Sequence, residues 1–578
     1  MNVLKRVIRM KKNKNIANNK TKKNNNSKTR KKGQRNVLIK NVSLHMEKCK
    51  SYFKKLSLKN YFNIGLLLLL IISSASLFFY YKMVFFPDSK HYYTMSKIIL
   101  GDIGISHWQT VRGFGFPLIG ASWILLFGDT PKGVLTGAYI YYLILVLLIG
   151  YLLQRFMKKN EVQNRLTYII LFVLLVPFNT LIIGYSHTFL TESVMPTFYL
   201  ITIFLLFKWY RLDYKQAKKK IIFLNIAFVL LGIMTWFIKQ PFAPAFYIGL
   251  IISAICSGIH FKSWKMFGKK MSTVLICLVF MLISIFSWNR LLEQNTKKSA
   301  NDINDSFMTN SILSGMNVYY YSIPKEEYCN VKYIKKLKIS EKEKKKILDI
   351  RQSDKKHWCD HLLVYDLREH NGDLVTNEVL ISSDRNITSL ETLGFLFKNY
   401  FKHPTYVFRS YYYNYLAISD IQERDFSNGY RSSLNNFRHV YGENFSNGTY
   451  PFETNVATLG FYSNGLMDNY ASKTPNNSKL TEIMMMHGEI CLYLYKILTL
   501  FALPIFIYTF IKYIILKDTN YFITSLISMM HFTNAMFNVF AGAIIDRYVY
   551  PTYPAMLLCL LILMMSKKKR SDKDEIKR

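Results

Sequence analysis

About ten apolar runs, each near the length of one bilayer crossing, constrain this chain more than any other feature. They fall at 62–82, 133–153, 166–185, 188–207, 221–238, 243–259, 271–288, 488–516, 520–541 and 548–566. A bilayer core of about 30 Å takes about 20 apolar residues of helix. Half the chain is hydrophobic and 16% is aromatic, which suits an α-helical polytopic membrane protein. The connectors alternate in charge. Gln154–Arg165, Lys208–Lys220, His260–Lys270, the turn at Lys517 and the tail after Lys567 are mostly basic, whereas the connectors between them are not. By the positive-inside rule those loops are cytoplasmic, and both termini with them. The expected address is therefore a cell membrane crossed many times.

The net charge of +40 does not point to nucleic acid. Residues 1–60 carry 20 Lys or Arg against the single acid Glu47. This Asn/Lys-rich tail has too little apolar surface to fold, and no nucleic-acid-binding motif accompanies it. Its predicted partner is the anionic lipid of the inner leaflet. The first apolar run lies too far from residue 1 for an ordinary cleaved signal peptide and is expected to stay as an anchor.

Two segments on the outer side are long. The first, 83–132, contains Pro87-Asp88-Ser89-Lys90-His91-Tyr92-Tyr93 and Arg112-Gly113-Phe114-Gly115-Phe116-Pro117. Phe116–Phe127 is too short to span comfortably and reads as an interfacial or re-entrant helix. The second, 290–487, has the size of a soluble domain of mixed character. It includes a charged, helical piece (Lys335–Arg351), an aromatic piece (Phe397–Tyr415) and a polar one (Ser427–Asn477). The expected organisation is a tail 1–60, a membrane core 61–289 of about seven spans, an outer domain 290–487, about three further spans in 488–566, and a tail 567–578. Cys329 and Cys359 share the outer domain and are the one plausible disulfide pair, without deciding whether they are bridged.

Ionisable residues at membrane level are costly, so they direct attention to function. On the outer side the topology collects Asp88 and Arg112, then His187 and Glu192 where the fourth span begins. Lys239 follows, in Ile238-Lys239-Gln240-Pro241, and then Asp546 and Arg547 at the last span. Carboxylates can take a proton from a hydroxyl or hold a divalent cation. Arg and Lys can hold a phosphate. Each residue also has a plainer role: Asp88 as a helix cap, Glu192 as an acid favoured by a helix dipole, Arg112 and Lys239 as headgroup anchors, His187 as a satisfied interfacial ring, Asp546 and Arg547 as a mutual pair. His531, Asn534 and Asn538 share one helical face, which reads as interhelical hydrogen bonding. No Cys/His set has zinc spacing, and no P-loop is present.

The order of parts resembles the GT-C superfamily of lipid-dependent glycosyltransferases, similar to protein O-mannosyltransferases and aminoarabinose transferases. In that superfamily an Asp lies in the first outer loop after the first span, as Asp88 does here, followed by Tyr-bearing interfacial helices and an Arg/Pro element like Arg112–Pro117. Leu190-Thr191-Glu192-Ser193 and Arg547-Tyr548-Val549-Tyr550-Pro551 resemble later elements. Two departures stand out: Ser89 occupies the place where many members carry a second acid, and Lys239-Gln240-Pro241 replaces a common Arg-Pro. The resemblance implies a core of seven spans followed by a variable outer domain. It also implies transfer of a sugar from a polyprenyl-phosphate-linked donor to an extracytoplasmic glycan, lipid or protein acceptor. Asp88 and Glu192 would be catalytic; Tyr92, Arg112, His187, Lys239, Asp546 and Arg547 would bind substrate. A divalent cation stays open and no metal ligand is assigned.

Two other classes compete. A polysaccharide polymerase or ligase would use arginines of the large outer segment, such as Arg409, Arg424, Arg431 and Arg438, to hold a lipid-linked oligosaccharide. A secondary transporter fits less well, because no two-halved symmetry is visible.

Overall fold

The computed structural model describes residues 70–79, 87–109, 112–213, 218–296, 479–540 and 548–575, with Glu341, Lys345, Tyr412, Tyr415 and Leu416. The described residues form helices and no strand. The chain divides into two units, Met1–Leu77 and Phe78–Arg578. Of the first, only the start of α1 (Leu70–Phe79) is described. There Ser73, Ser74 and Ser76 donate to the carbonyls of Leu70, Ile71 and Ile72, which lets hydroxyls sit in an apolar helix.

The second unit continues through α2 (Pro87–Leu100), α3 (Gly115–Phe127), α4 (Pro131–Lys159), α5 (Arg165–Leu175), α6 (Thr180–Ser186), α7 (Met195–Trp209), α8 (Lys218–Ile238), α9 (Ala243–Phe261) and α10 (Trp264–Thr296). Further along the chain come α11 (Lys479–Leu500), α12 (Ala502–Leu516), α13 (Thr519–Phe540) and α14 (Tyr553–Glu575). Among the described residues, four helices are long and apolar enough to cross a membrane, or up to six if the bent pairs α5–α6 and α11–α12 each count as one span.

Several boundaries differ from those read in the sequence. The run 166–185 is not one straight helix but bends by 43° between α5 and α6. Pro177 cannot donate a backbone bond there, and the break is closed by side chains instead. Asn179 accepts from Leu181 N and Ile182 N and donates to Leu175 O and to Tyr553 Oη, while Tyr142 Oη bonds Pro177 O. The fourth span, expected from 188, becomes α-helix only at Met195, because Thr191–Ser193 form a 3-10 turn ahead of Pro196. The run 488–516 bends by 58° at Phe501. Helices α10 and α11 extend past the boundaries drawn at 289 and 487, since helix continues where the apolar pattern stops.

Two helices show opposite uses of their faces. α10 exposes Leu275, Leu282 and Phe286, as a lipid-facing helix does. α13 packs against α9, α12 and α14 and buries a polar stripe instead: Asn520, Thr524, Ser528, His531, Asn534 and Asn538. The stripe ties helices together. His531 bonds Thr552 Oγ1 at 2.5 Å and Thr499 Oγ1 at 3.0 Å, and Asn534 donates to Tyr548 O. His531 and Asn534 thus reach other elements, as read from the sequence, whereas Asn538 donates within α13, to Asn534 O.

Candidate functional site

Glu192 and Lys239 come from two different turns. Glu192 lies in the 3-10 turn Thr191–Ser193 between α6 and α7. Lys239 is in extended backbone where α8 stops, just ahead of the turn Gln240–Phe242 that Pro241 imposes. Lys239 Nζ meets Glu192 Oε1 at 2.8 Å, with the two side chains 6% and 3% exposed. Thr191 Oγ1 donates to the other carboxylate oxygen at 2.9 Å. Lys239 Nζ also lies 4.5 Å from the centre of the Tyr548 ring, a cation–π distance. Neither charge could be buried alone at tolerable cost, and each is balanced here.

The segment that carries Arg112 is attached to the same place. Gly113 and Gly115 press their backbone against the last residues of α8. A Cβ on Gly113 would stand 2.4 Å from Phe237 O, and one on Gly115 would stand 2.7 Å from Ile238 N. Only glycine permits that approach, and it fixes Arg112 beside the strand of chain that leads into Lys239. Phe114 packs on Phe237 at 4.2 Å and on Trp288 of α10 at 4.9 Å. Trp108 Nε1 donates to Arg112 O and its ring meets Trp288 at 5.0 Å. The Arg112 guanidinium lies over Tyr92 at 4.7 Å and donates from Nε to Gln109 Oε1, whose amide in turn meets His91 Nδ1 at 2.6 Å. Tyr92 is four residues after Asp88 on α2, one helical turn along.

Asp88 is the second residue of α2, inside the helix and not ahead of it as a cap would be. Its side chain lies outside the described set, as do Asp546, Arg547, Arg409, Arg424, Arg431, Arg438, Cys329 and Cys359. His187, expected beside substrate, is instead fully buried. Its Nδ1 faces Ile183 O at 2.7 Å and its Nε2 faces Phe78 O at 2.6 Å. The ring thus bridges two backbone carbonyls, one from α1 and one from α6. The geometry gives His187 a structural place and brings Glu192, Lys239, Arg112 and Tyr92 to one end of the bundle.

Four residues escaped sequence reasoning. Thr191, Tyr548 and Tyr550 are small or aromatic neighbours of the singled-out acids and bases, and only three-dimensional contact shows their use. Tyr550 stacks on Tyr185 at 4.0 Å. The fourth, Asp129, lies within the α3–α4 turn and accepts from Tyr93 Oη at 3.0 Å and from Lys97 Nζ at 2.7 Å. Lys97 also reaches Asp102 at 2.6 Å. Tyr93 and Lys97 are one turn apart on α2, the signal that could have exposed the network. Burial would lower the Lys97 pKa, but the hydrogen bonds to Asp102 and Asp129 outweigh it and hold the ammonium above its ordinary value.

Among the described residues, no group of three His, Cys, Asp or Glu stands close enough to hold a metal ion. Compared with known protein families, curated proteins and solved structures, the chain finds no match.

Proposed function

We propose that this is a membrane glycosyltransferase of the GT-C kind, with about ten spans, both termini cytoplasmic and its site on the outer face. It takes a sugar from a polyprenyl-phosphate-linked donor and passes it to an extracytoplasmic glycan, lipid or protein. The observation that carries the proposal is the seating of the Arg112 loop on the end of α8, through Gly113 and Gly115, next to the buried Glu192–Lys239 pair. An arginine, a lysine and a carboxylate thereby share one end of the bundle with the α2 turn that bears Asp88. That is the set a phosphate leaving group and a hydroxyl acceptor require.

In the proposed reaction the Asp88 carboxylate takes the proton of the acceptor hydroxyl. The hydroxyl oxygen bonds to the anomeric carbon as the carbon–oxygen bond to phosphate breaks. The polyprenyl phosphate leaves with the electron pair, and a single displacement inverts the sugar. Arg112 and Lys239 hold the growing phosphate charge. Glu192 acts first on Lys239, whose position it fixes, and so belongs to the phosphate side of the reaction as much as to the acceptor side.

The test is transfer by the purified protein in liposomes, offered either polyprenyl phosphate bearing one labelled sugar or polyprenyl pyrophosphate bearing an oligosaccharide. Label passing from the single-sugar donor supports the proposal. Transfer from the oligosaccharide donor alone replaces it with a polymerase or ligase.

A further inference from the structure

Among the described residues the most deeply buried cation is Lys270 of α10, at 0% exposed. It belongs to the other end of α7 from Glu192. Glu192 precedes that helix, whereas Lys270 Nζ donates to the carbonyl of Trp209, its last residue. The 15 residues of α7 set the two ends about 22 Å apart. The ammonium also lies 4.8 Å from the centre of the Trp209 ring. These attachments leave it short of a counter-charge, for a helix C-terminus supplies only about half an elementary charge. Between Glu192 and Glu293 the sequence has one acid, Asp213, whose field reaches Lys270 but which forms no ion pair with it. A second donor stands beside the first: Trp209 Nε1 is buried and meets no acceptor. An uncompensated cation and an unpaired N–H are each costly in an interior. One group relieves both, an anion with several acceptor oxygens.

The surroundings indicate which anion. Phe228 of α8 packs on the Trp209 ring at 5.3 Å. Thr273 of α10, one turn after Lys270, donates to Asn225 Oδ1 of α8 at 3.3 Å. The two donors therefore lie where the end of α7 meets α8 and α10. Lys219 and Lys220, in the first turn of α8, and Lys269 are exposed. Further along, the exposed residues are apolar: Phe223 and Ile226 on α8, Leu275 and Leu282 on α10. A cationic end above an apolar flank matches a phospholipid, and in the proposed orientation this end faces the anionic inner leaflet. We propose that Lys270 and Trp209 form a phosphate site for an anionic phospholipid, whose headgroup phosphate accepts from both donors while its chains lie along α8 and α10. The inference goes beyond sugar transfer and takes from that proposal only the orientation.

Lys270→Met and Trp209→Phe test the site in the purified, delipidated full chain in detergent. Thermal unfolding is followed as phosphatidylglycerol, phosphatidylcholine with the same chains, or inorganic phosphate is added. Phosphatidylglycerol should raise the wild-type unfolding temperature and phosphatidylcholine should not. Without lipid, Lys270→Met should unfold at the wild-type temperature or above it, since an uncompensated buried charge has been deleted, and phosphatidylglycerol should no longer shift it. Trp209→Phe should need about tenfold more phosphatidylglycerol for the same shift, the loss of one charge-assisted hydrogen bond. Lys265→Met removes an exposed charge from the same helix and should respond as the wild type does. A shift with inorganic phosphate as well supports the phosphate site, whereas a shift with inorganic phosphate alone overturns the lipid as its ligand. Equal phosphatidylglycerol shifts in wild type and Lys270→Met overturn the site. So does a lower unfolding temperature of Lys270→Met without lipid, which would show that the ammonium was already balanced. None of these outcomes bears on sugar transfer.

Discussion

Lys239 and Glu192 are 47 residues apart in the chain and meet at 2.8 Å in the protein interior. They join the turn after α8 to the turn before α7. A pair so deeply buried contributes little over a well-packed apolar pair, yet removing either partner alone strands the other charge.

The cost of stranding sets the first expectation. Lys239→Met or Glu192→Gln alone should destabilise the protein by about 3–5 kcal/mol, read by denaturant unfolding in detergent. The double variant should lose much less than the sum, with a coupling of about 2 kcal/mol or more. Additive losses would mean that the two groups do not depend on each other.

A contrast at the rim calibrates that figure. Asp129 and Lys97 also form an ion pair, at 2.7 Å, but their side chains are 36% and 20% exposed. Asp129→Asn should cost no more than about 1 kcal/mol, and salt should reduce the effect further. The pH dependence follows in sign. Because the folded protein holds Lys97 above its ordinary pKa, the contribution is complete below that ordinary value and is lost only as the pH rises past it. Unfolding measured between pH 6 and pH 8 should show no change from this network, and a decline in that range would assign it to some other group.

The glycines of the first loop separate packing from chemistry. Gly113→Ala would put a Cβ against the Phe237 backbone, which cannot yield as a flexible side chain can. A loss of about 1–3 kcal/mol is expected, with Arg112 pushed off α8 and transfer impaired. Gly104→Ala is the control, for its Cβ would meet only Ser106 Oγ at 3.6 Å. Thermal unfolding and transfer assays on the two variants should diverge; equal behaviour would remove the loop-to-helix contact from the account.

Some of this was legible in the chain. The positive-inside pattern placed Arg112, Glu192 and Lys239 on one side before any contact was known, and the structure brings the lysine and glutamate together. Charge alternation could do that because sidedness depends only on counting spans. It could not show that Lys239 closes on Glu192, since pairing depends on how α6, α7 and α8 pack. The breaks at Pro177 and Phe501 were missed for a related reason. Hydropathy sums over a window and cannot register a bend whose polar groups are satisfied from within, as Asn179 and Tyr142 satisfy the first. His187 misled in the opposite way: a titratable ring near a span end reads as chemistry, but two backbone carbonyls claim it.

Asp88 bears the most weight in the proposed reaction and is tested most directly by Asp88→Asn. The measurement is single-sugar transfer from a polyprenyl-phosphate donor in liposomes, with unfolding temperature and polyprenyl phosphate binding recorded on the same preparation. Transfer should fall by about 10²–10⁴-fold, the range for loss of a general base, while stability and binding stay at wild-type values. Transfer near the wild-type rate in a folded, phosphate-binding variant would contradict the assignment of Asp88 as the base.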